Sequence, residues 1–187
     1  MSTTHGPMHG IRIIDLSTII SGPIATQILG DQGADVIKVE PPGIGDLTRR
    51  MGTRRNGLSA IFAAANRNKR GIILDLKSEA GVEILGQIVA TADVVVQNFR
   101  PGAVERMGIG YDKMRAIKPD IIYASITGFG ASGPYSSRRV YFGCLPLGRD
   151  GHSGARCHGQ HHLSQSAWRR KLSSRCFLCH HAGRTGF

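Results

Sequence analysis

Short apolar runs alternate with amphipathic stretches along the first 141 residues of the chain. Five of these runs, each five to seven residues long, have the near-continuous hydrophobicity that is typical of strands buried on both faces of a parallel sheet. They cover residues 11–16, 34–40, 71–76, 93–97 and 121–126. Because helical stretches separate the runs, the pattern predicts an α/β fold: a parallel sheet with flanking helices and right-handed crossovers.

The helical signals lie between the predicted strands. Pro23 suits the first turn of a helix that ends at Gly30, and Ser78 precedes a longer helix, residues 79–92, with a clear apolar side. Shorter helices are predicted over residues 58–65, 101–108 and 111–117. A loop rich in glycine and arginine separates the second strand from the helix at residue 58.

Open parallel sheets bind ligands beyond the carboxyl ends of their strands. In this sequence that rule selects the positions that follow each strand: Ser17, Thr18, Pro41, Lys77, 98–100 and 127–130. Seven basic residues are expected around the same edge: Arg49, Arg50, Arg54, Arg55, Arg67, Lys69 and Arg70. A basic edge on a Rossmann-like sheet suits a nucleotide-type ligand with several phosphates, and solvated surface charge is the competing explanation.

Three groups of residues resemble the patterns of cofactor or metal sites. Residues 128–133 fit G-x-G-x-x-G, but Pro134 follows, and neither a helix nor a suitably spaced acid completes a dinucleotide fingerprint. Residues 176–180 match the haem-attachment pattern C-x-x-C-H, which requires export, and no secretory signal opens the chain. The same cysteines with nearby histidines have no usual zinc spacing. We therefore predict no metal site, and no Ser/His/Asp or Cys/His catalytic set.

The composition changes sharply after Tyr141. Residues 1–141 carry 17 Lys and Arg against 12 Asp and Glu, whereas residues 142–187 carry seven against one, Asp150. This basic tail also holds all four cysteines and six of the eight histidines, but it lacks isoleucine and valine. Such a segment cannot build a core of its own. We predict a folded domain over residues 1–141 and a disordered, Cys/His-rich tail over residues 142–187.

The net charge and the apolar pattern also bear on partners and location. A formal net charge of +11 allows non-specific attraction to nucleic acid, but no DNA-binding motif or aromatic platform supports a specific role. No run approaches the roughly 18 apolar residues that span a bilayer, so we expect no membrane insertion. Because residues 1–141 contain no cysteine, a reducing cytoplasm is the expected location.

Several segments between residues 10 and 141 together carry a family resemblance. They are GIRIIDLS (10–17), SGPIATQ (21–27), GADVIKVEPPG (33–43), GDLTR (45–49), NRNKR (66–70), LDLK (74–77), ADVVVQNFRPG (92–102) and SITGFG (125–130). This set resembles the N-terminal half of the family III CoA-transferases, a group that includes formyl-CoA and carnitine CoA-transferases and the related alpha-methylacyl-CoA racemases. The resemblance is specific because it does not depend on one short pattern.

The resemblance implies a Rossmann-like domain that binds coenzyme A or acyl-CoA as a substrate, with no covalently bound cofactor. It implies that the path of the nucleotide and pantetheine is lined by Thr18, Ile19, Ile20 and Ser21. It implies contacts with the CoA moiety from Leu74, Lys77, Asn98, Phe99 and Arg106, and a basic residue near the phosphates at Arg139. Basic side chains pair well with phosphate. Pro41 stands where formyl-CoA transferase has an arginine.

The resemblance further implies a reaction, and the tail departs from it. In the intact family an aspartate attacks an acyl-CoA, and CoA then passes to a carboxylic acid through covalent carboxylate catalysis. The resemblance stops after Tyr141, and Asp150 does not lie in the expected motif, so no catalytic residue is assigned. We expect a truncated, inactive transferase, with a CoA-binding remnant without catalysis as the alternative. The composition of the tail favours a reading-frame change near codon 142 of a GC-rich gene.

The intact family also forms interlocked homodimers in which residues from the C-terminal end complete the N-terminal sheet. A chain without that half would leave apolar surface uncovered. We therefore expect the isolated chain to have marginal stability and not to form the interlocked dimer of the intact family.

Overall fold

The predicted strands pair side by side in one parallel sheet. The computed structural model describes residues 6–130 and 133–136. In chain order the strands of this part are β1 (Arg12–Asp15), β2 (Asp35–Glu40), β3 (Arg54–Arg55), β4 (Leu58–Ser59), β5 (Lys69–Ile73), β6 (Val94–Gln97) and β7 (Ile122–Ser125). Five of them form an all-parallel sheet in the order β5–β2–β1–β6–β7, and β3 and β4 form a small antiparallel hairpin. The predicted α/β class is confirmed.

Five helices connect these strands. They are α1 (Ser21–Asp31), α2 (Ala60–Asn66), α3 (Glu79–Val89), α4 (Ala103–Arg106) and α5 (Tyr111–Ile117), with a 3₁₀ turn at Leu47–Arg50. Side chains cap two of the starts: the Ser59 hydroxyl accepts from the Phe62 amide, and the Ser78 hydroxyl accepts from the Gly81 amide. These caps satisfy backbone donors that a helix leaves free in its first turn. Among the residues described, no helix is long and apolar enough to cross a bilayer.

The third strand of the sheet differs in position from its prediction. The apolar run predicts a strand over residues 71–76, whereas β5 begins at Lys69 and ends at Ile73. Its register against β2 pairs Val36 with Lys69 and Glu40 with Ile73. Two charged residues can open an edge strand because carboxylates neutralise both of them. Local hydrophobicity alone could not reveal these partners.

Apolar side chains fill both faces of the sheet. Ile13 and Ile14 point to opposite faces, as successive residues of a strand must, and both are fully buried. On one face, Leu85 of α3 and Met114 of α5 join the larger core cluster, which also contains Val95. On the other face, Leu29 of α1 packs against a smaller cluster around Val36 and Val96. This packing fixes the position of the carboxyl ends of the strands, where the candidate site lies.

Candidate functional site

The strand order reverses between β1 and β6. From β1 the chain adds strands outward through β2 to β5, and then returns to add β6 and β7 on the other side. A crevice at such a reversal is the usual ligand site of a doubly wound sheet. The connection from β1 to α1, residues 17–20, runs along this crevice; we call it the β1–α1 segment.

Asn98 binds the β1–α1 segment across the crevice. The Thr18 amide donates to Asn98 Oδ1 over 2.9 Å, and Asn98 Nδ2 donates to the Thr18 carbonyl over 2.8 Å. The side-chain amide of Asn98 therefore bridges the two neighbouring strands much as a backbone amide would. The structure thus brings together two residues that the sequence analysis had placed on a CoA path, and it joins them at both polar ends.

A buried ion pair lies below the start of the same segment. Asp15, the last residue of β1, accepts hydrogen bonds from the Ser17 amide, the Ser17 hydroxyl and Thr26 Oγ1. Lys69 Nζ lies 2.9 Å from Asp15 Oδ2, and the two side chains are 2% and 0% exposed. Burial lowers the pKa of Lys69, and the Asp15 carboxylate opposes that shift. Asp15 is thereby fully engaged in holding Ser17 and α1 in place.

A second buried ion pair holds the middle of the segment. Lys38 Nζ, from β2, donates to the Ser17 carbonyl over 2.9 Å and lies 3.0 Å from Asp46 Oδ2. Both Asp46 oxygens accept from the Ile19 amide at 3.3 Å. Burial alone would raise the pKa of Asp46, but hydrogen bonds from Thr48 and the Lys38 charge outweigh it and keep that pKa below its usual value. Asp46 is therefore a carboxylate at neutral pH.

Glu40 and Arg49 hold the loop that carries Asp46. Glu40 accepts from the Asp46 amide over 2.8 Å and from Arg49 Nε and Nη2 over 2.7 Å each. The Arg49 guanidinium also stacks on the Phe62 ring, 3.7 Å from its centroid. Burial works against ionisation of Glu40, yet the Arg49 hydrogen bonds bring its pKa below the usual value. Gly45 permits the turn, because its φ of +66° suits glycine and a Cβ there would approach Glu40 Oε2.

The predicted basic edge is wrong for three of its seven members. Arg67 pairs with Asp31 at the end of α1, and Arg70 pairs with Asp35 at the start of β2, so both lie at the amino edge of the sheet. Lys69 is buried against Asp15 and faces no solvent. The misplacement arises because residues 67–70 precede and open β5 and do not follow a strand. Arg49, Arg50, Arg54 and Arg55 do lie in the region that follows β2.

The other residues expected on the CoA path occupy different environments. Ile20 is the residue before α1, and Ser21 is its exposed first residue. Leu74 packs into the larger core cluster, and Phe99 lies half-buried against the same cluster. Lys77 and Arg106 are exposed, the first beyond β5 and the second at the end of α4. Arg139, Tyr141, Asp150 and the whole tail 142–187, with its cysteine and histidine motifs, lie outside the described residues.

Sequence reasoning missed the polar residues below the segment. Lys38, Glu40 and Asp46 were part of quoted family segments, but none was singled out as a site residue. A signal for Lys38 was present, because a lysine inside the run of residues 34–40 must reach a carboxylate if the strand is buried on both faces. The identity of that carboxylate depends on the fold of the loop that follows β2.

Known proteins are similar to this domain in sequence and in fold. The chain matches the family model described as CoA-transferase family III over residues 8–145. It is 48% identical over 136 residues to a succinyl-CoA:glutarate CoA-transferase of Mus musculus, covering 72% of this chain and 31% of that protein. It is 47% identical over 135 residues to a formyl-CoA:oxalate CoA-transferase of Rhodopseudomonas palustris (strain BisA53), covering 72% of this chain and 32% of that protein.

A solved structure is also similar. A CAIB/BAIF family protein from Brucella suis superimposes with a TM-score of 0.70 at 44% identity, covering 74% of this chain and 38% of that one. The chain thus spans about a third of the length of the curated relatives it matches. The resemblance inferred from the sequence segments is confirmed: this chain belongs to CoA-transferase family III.

Proposed function

We propose that the described domain binds the coenzyme A moiety of an acyl-CoA at the carboxyl edge of its sheet. The observation that carries the proposal is the two-way hydrogen bond between Thr18 and Asn98 at the strand reversal. It fixes the β1–α1 segment where doubly wound sheets bind nucleotide ligands. The names of the relatives, succinyl-CoA:glutarate and formyl-CoA:oxalate CoA-transferases, supply the ligand class.

Charge and exposure allow a division of roles along this edge. Exposed Lys77 and Arg106 have free surfaces from which a cation can pair with a phosphate or diphosphate. Arg139 would add to this set. The half-buried Phe99 and Ile20 offer apolar surface to the pantetheine chain. The full reaction of the family, transfer of CoA from an acyl-CoA to a carboxylic acid, would require further groups beside this binding edge.

We also propose that this chain binds CoA without transferring it. Transfer needs a carboxylate that attacks the thioester carbonyl, forms an acyl anhydride and releases the CoA thiolate. Among residues 6–130 and 133–136, the fully buried aspartates are Asp15 and Asp46, and a lysine ammonium neutralises each. A carboxylate held in this way is a poor nucleophile. Asp150 follows Gly148-Arg149, which is not the context of the family nucleophile.

Titration calorimetry with CoA tests the binding proposal. We expect saturable, stoichiometric binding that acetyl-CoA competes with and NAD does not. The Asn98→Ala variant should bind CoA more weakly, because both hydrogen bonds between residue 98 and the Thr18 backbone are lost. If CoA gives no binding heat with the wild-type chain, and acetyl-CoA shows no competition, the proposal is refuted. The same titration is repeated with duplex DNA. If the chain binds any duplex in a salt-sensitive way and does not bind CoA, the competing view is favoured, in which the basic charge determines function.

Hydroxylamine trapping tests the second part. The chain is incubated with succinyl-CoA or formyl-CoA and then with hydroxylamine, which captures an acyl or thioester group on a carboxylate. Hydroxylamine also reacts with free acyl-CoA, so the readout is hydroxamate attached to the protein. We expect none in stoichiometric amount, and no transfer of CoA to oxalate or glutarate. Turnover, or a trapped acyl-enzyme, would show that a nucleophile is present and would overturn the claim of binding without transfer.

A further inference from the structure

Ile19 has a backbone conformation that its side chain disfavours. Its φ is +71°, in the left-handed region, and among the residues described the other non-glycine positions with positive φ are the asparagines 56 and 68. Asparagine tolerates this region, whereas a β-branched residue does not. Such a conformation persists only where surrounding groups enforce it. Groups that contact Ile19 must therefore hold it in the left-handed conformation.

The Lys38–Asp46 pair supplies that constraint. Asp46 accepts the Ile19 amide, and Lys38 binds both Asp46 and the carbonyl of Ser17, two residues earlier. The side chains are 2% and 0% exposed. A buried ion pair is a costly way to stabilise a fold, since apolar residues of similar volume are often at least as stabilising. What an apolar pair could not do is bind the two backbone groups on either side of Thr18.

We propose that Lys38 and Asp46 are positioning residues that hold Ile19 in the left-handed conformation and thereby preorganise the β1–α1 segment for CoA. This inference rests on the proposed binding of CoA at that segment. A left-handed non-glycine residue is disfavoured by roughly a factor of ten. Without the pair, the competent conformation would be populated about a tenth of the time. Because apparent affinity falls in proportion to the competent fraction, the dissociation constant should rise about tenfold.

A double-mutant cycle between the pair and residue 19 tests the proposal. The pair is replaced by Lys38→Met with Asp46→Leu, which leaves no unpaired buried charge, and residue 19 is changed by Ile19→Gly. Glycine adopts positive φ about as readily as negative φ, so it should not need the pair. We expect pair replacement to weaken CoA binding about tenfold with Ile19 and by no more than about twofold with glycine. The effect of pair replacement is measured within each background, so the affinity change caused by losing the Ile19 side chain cancels from the comparison.

Equal weakening in the two backgrounds would overturn the proposal, because a general structural role does not depend on residue 19. Val89→Ala, a core change in α3, serves as the matched destabilised control and should leave CoA affinity unchanged well below its unfolding temperature. If CoA affinity falls in proportion to the free energy of unfolding across all these variants, the positioning role of the pair is likewise contradicted.

Amide hydrogen exchange gives a readout that needs no ligand. In the wild-type chain the Ile19 amide should be protected, and pair replacement should speed its exchange at least tenfold. The Leu16 amide, bound to the Val96 carbonyl over 2.8 Å, is the internal reference and should not change. If the wild-type chain does not bind CoA, the proposed function fails while this measurement still decides the role of the pair. Unchanged Ile19 protection would refute the positioning role even if CoA binds.

Discussion

The two edges of the sheet use similar ion pairs in opposite ways. At the carboxyl edge, the side chains of Lys38 and Asp46 are 2% and 0% exposed, and they also bind backbone groups of the β1–α1 segment. At the amino edge, Arg12 and Arg70 share Asp35, which is 34% exposed, and these charges stay in contact with water. Solvent screens the second kind of pair, and its net contribution to stability is small. Costly buried charge thus lies at the edge where we propose that CoA binds.

Breaking one half of a buried pair should give the largest effect on stability. Lys38→Met leaves the Asp46 carboxylate buried without its counter-charge, and we expect a loss of about 3–5 kcal/mol in the free energy of unfolding. Chemical denaturation monitored by circular dichroism measures the loss. The double replacement Lys38→Met with Asp46→Leu should recover part of it, because the unpaired charge is gone while the Ile19 and Thr48 amides lose their acceptor. A single variant as stable as the wild type would mean that the two edges do not differ.

Two glycines compare the close packing at the carboxyl edge with the open middle of the edge strand β5, by shape instead of charge. A Cβ on Gly22, at the start of α1, would overlap the Cβ and Oγ of Ser17, whereas a Cβ on Gly71 in β5 meets nothing within 4 Å. Gly22→Ala should therefore cost about 1–3 kcal/mol by overpacking. Gly71→Ala should be neutral or slightly stabilising, because alanine restricts the unfolded chain. Thermal unfolding of the two variants side by side checks this, and equal midpoints would contradict the close approach of α1 to Ser17.

Acid titration tests how the carboxyl edge depends on ionisation. Arg49 and the Asp46 amide hold the folded-state pKa of Glu40 below its usual value despite burial, which acts in the opposite direction. The unfolded chain therefore takes up protons first, so the stabilisation is complete above about pH 5 and is lost as the pH falls through the lowered value. Glu40→Gln should cost about 1–2 kcal/mol at neutral pH and should flatten the acid decline of stability.

The control for the acid titration is Asp35→Asn at the amino edge. Burial opposes its ionisation, yet hydrogen bonds from Arg12 and Arg70 also lower the pKa of Asp35. The salt dependence of stability should distinguish the buried carboxylate of Glu40 from the solvated carboxylate of Asp35. In about 1 M salt the difference between Asp35→Asn and wild type should disappear, while that of Glu40→Gln should persist. The same salt response at both positions would show that Glu40 is no better shielded than Asp35.

The difference between the edges also explains what could be predicted from the sequence. The five sheet strands were visible because each contains a local run of apolar residues, although β5 begins with Lys69 and Arg70 ahead of its run. Thr18 and Asn98 were selected as candidates because both come just after a predicted strand. The positions of the charged side chains were harder to predict. Lys69 was placed on the ligand edge, although its partner Asp15 is 54 residues away in sequence and draws it into the interior. The left-handed φ of Ile19 left no signal, because the usual sign of that conformation is a glycine.

The smallest expected effect belongs to the amino edge itself. Asp35→Ala removes the shared partner of Arg12 and Arg70, and we expect a loss below about 1 kcal/mol, because both arginines remain solvated. CoA affinity should not change, since Asp35 opens β2 at the edge opposite the β1–α1 segment. Urea denaturation and calorimetry on the same sample measure both quantities. A loss comparable to that of Lys38→Met would mean that the Asp35 cluster also supports the fold from within, and burial would then no longer distinguish the two edges.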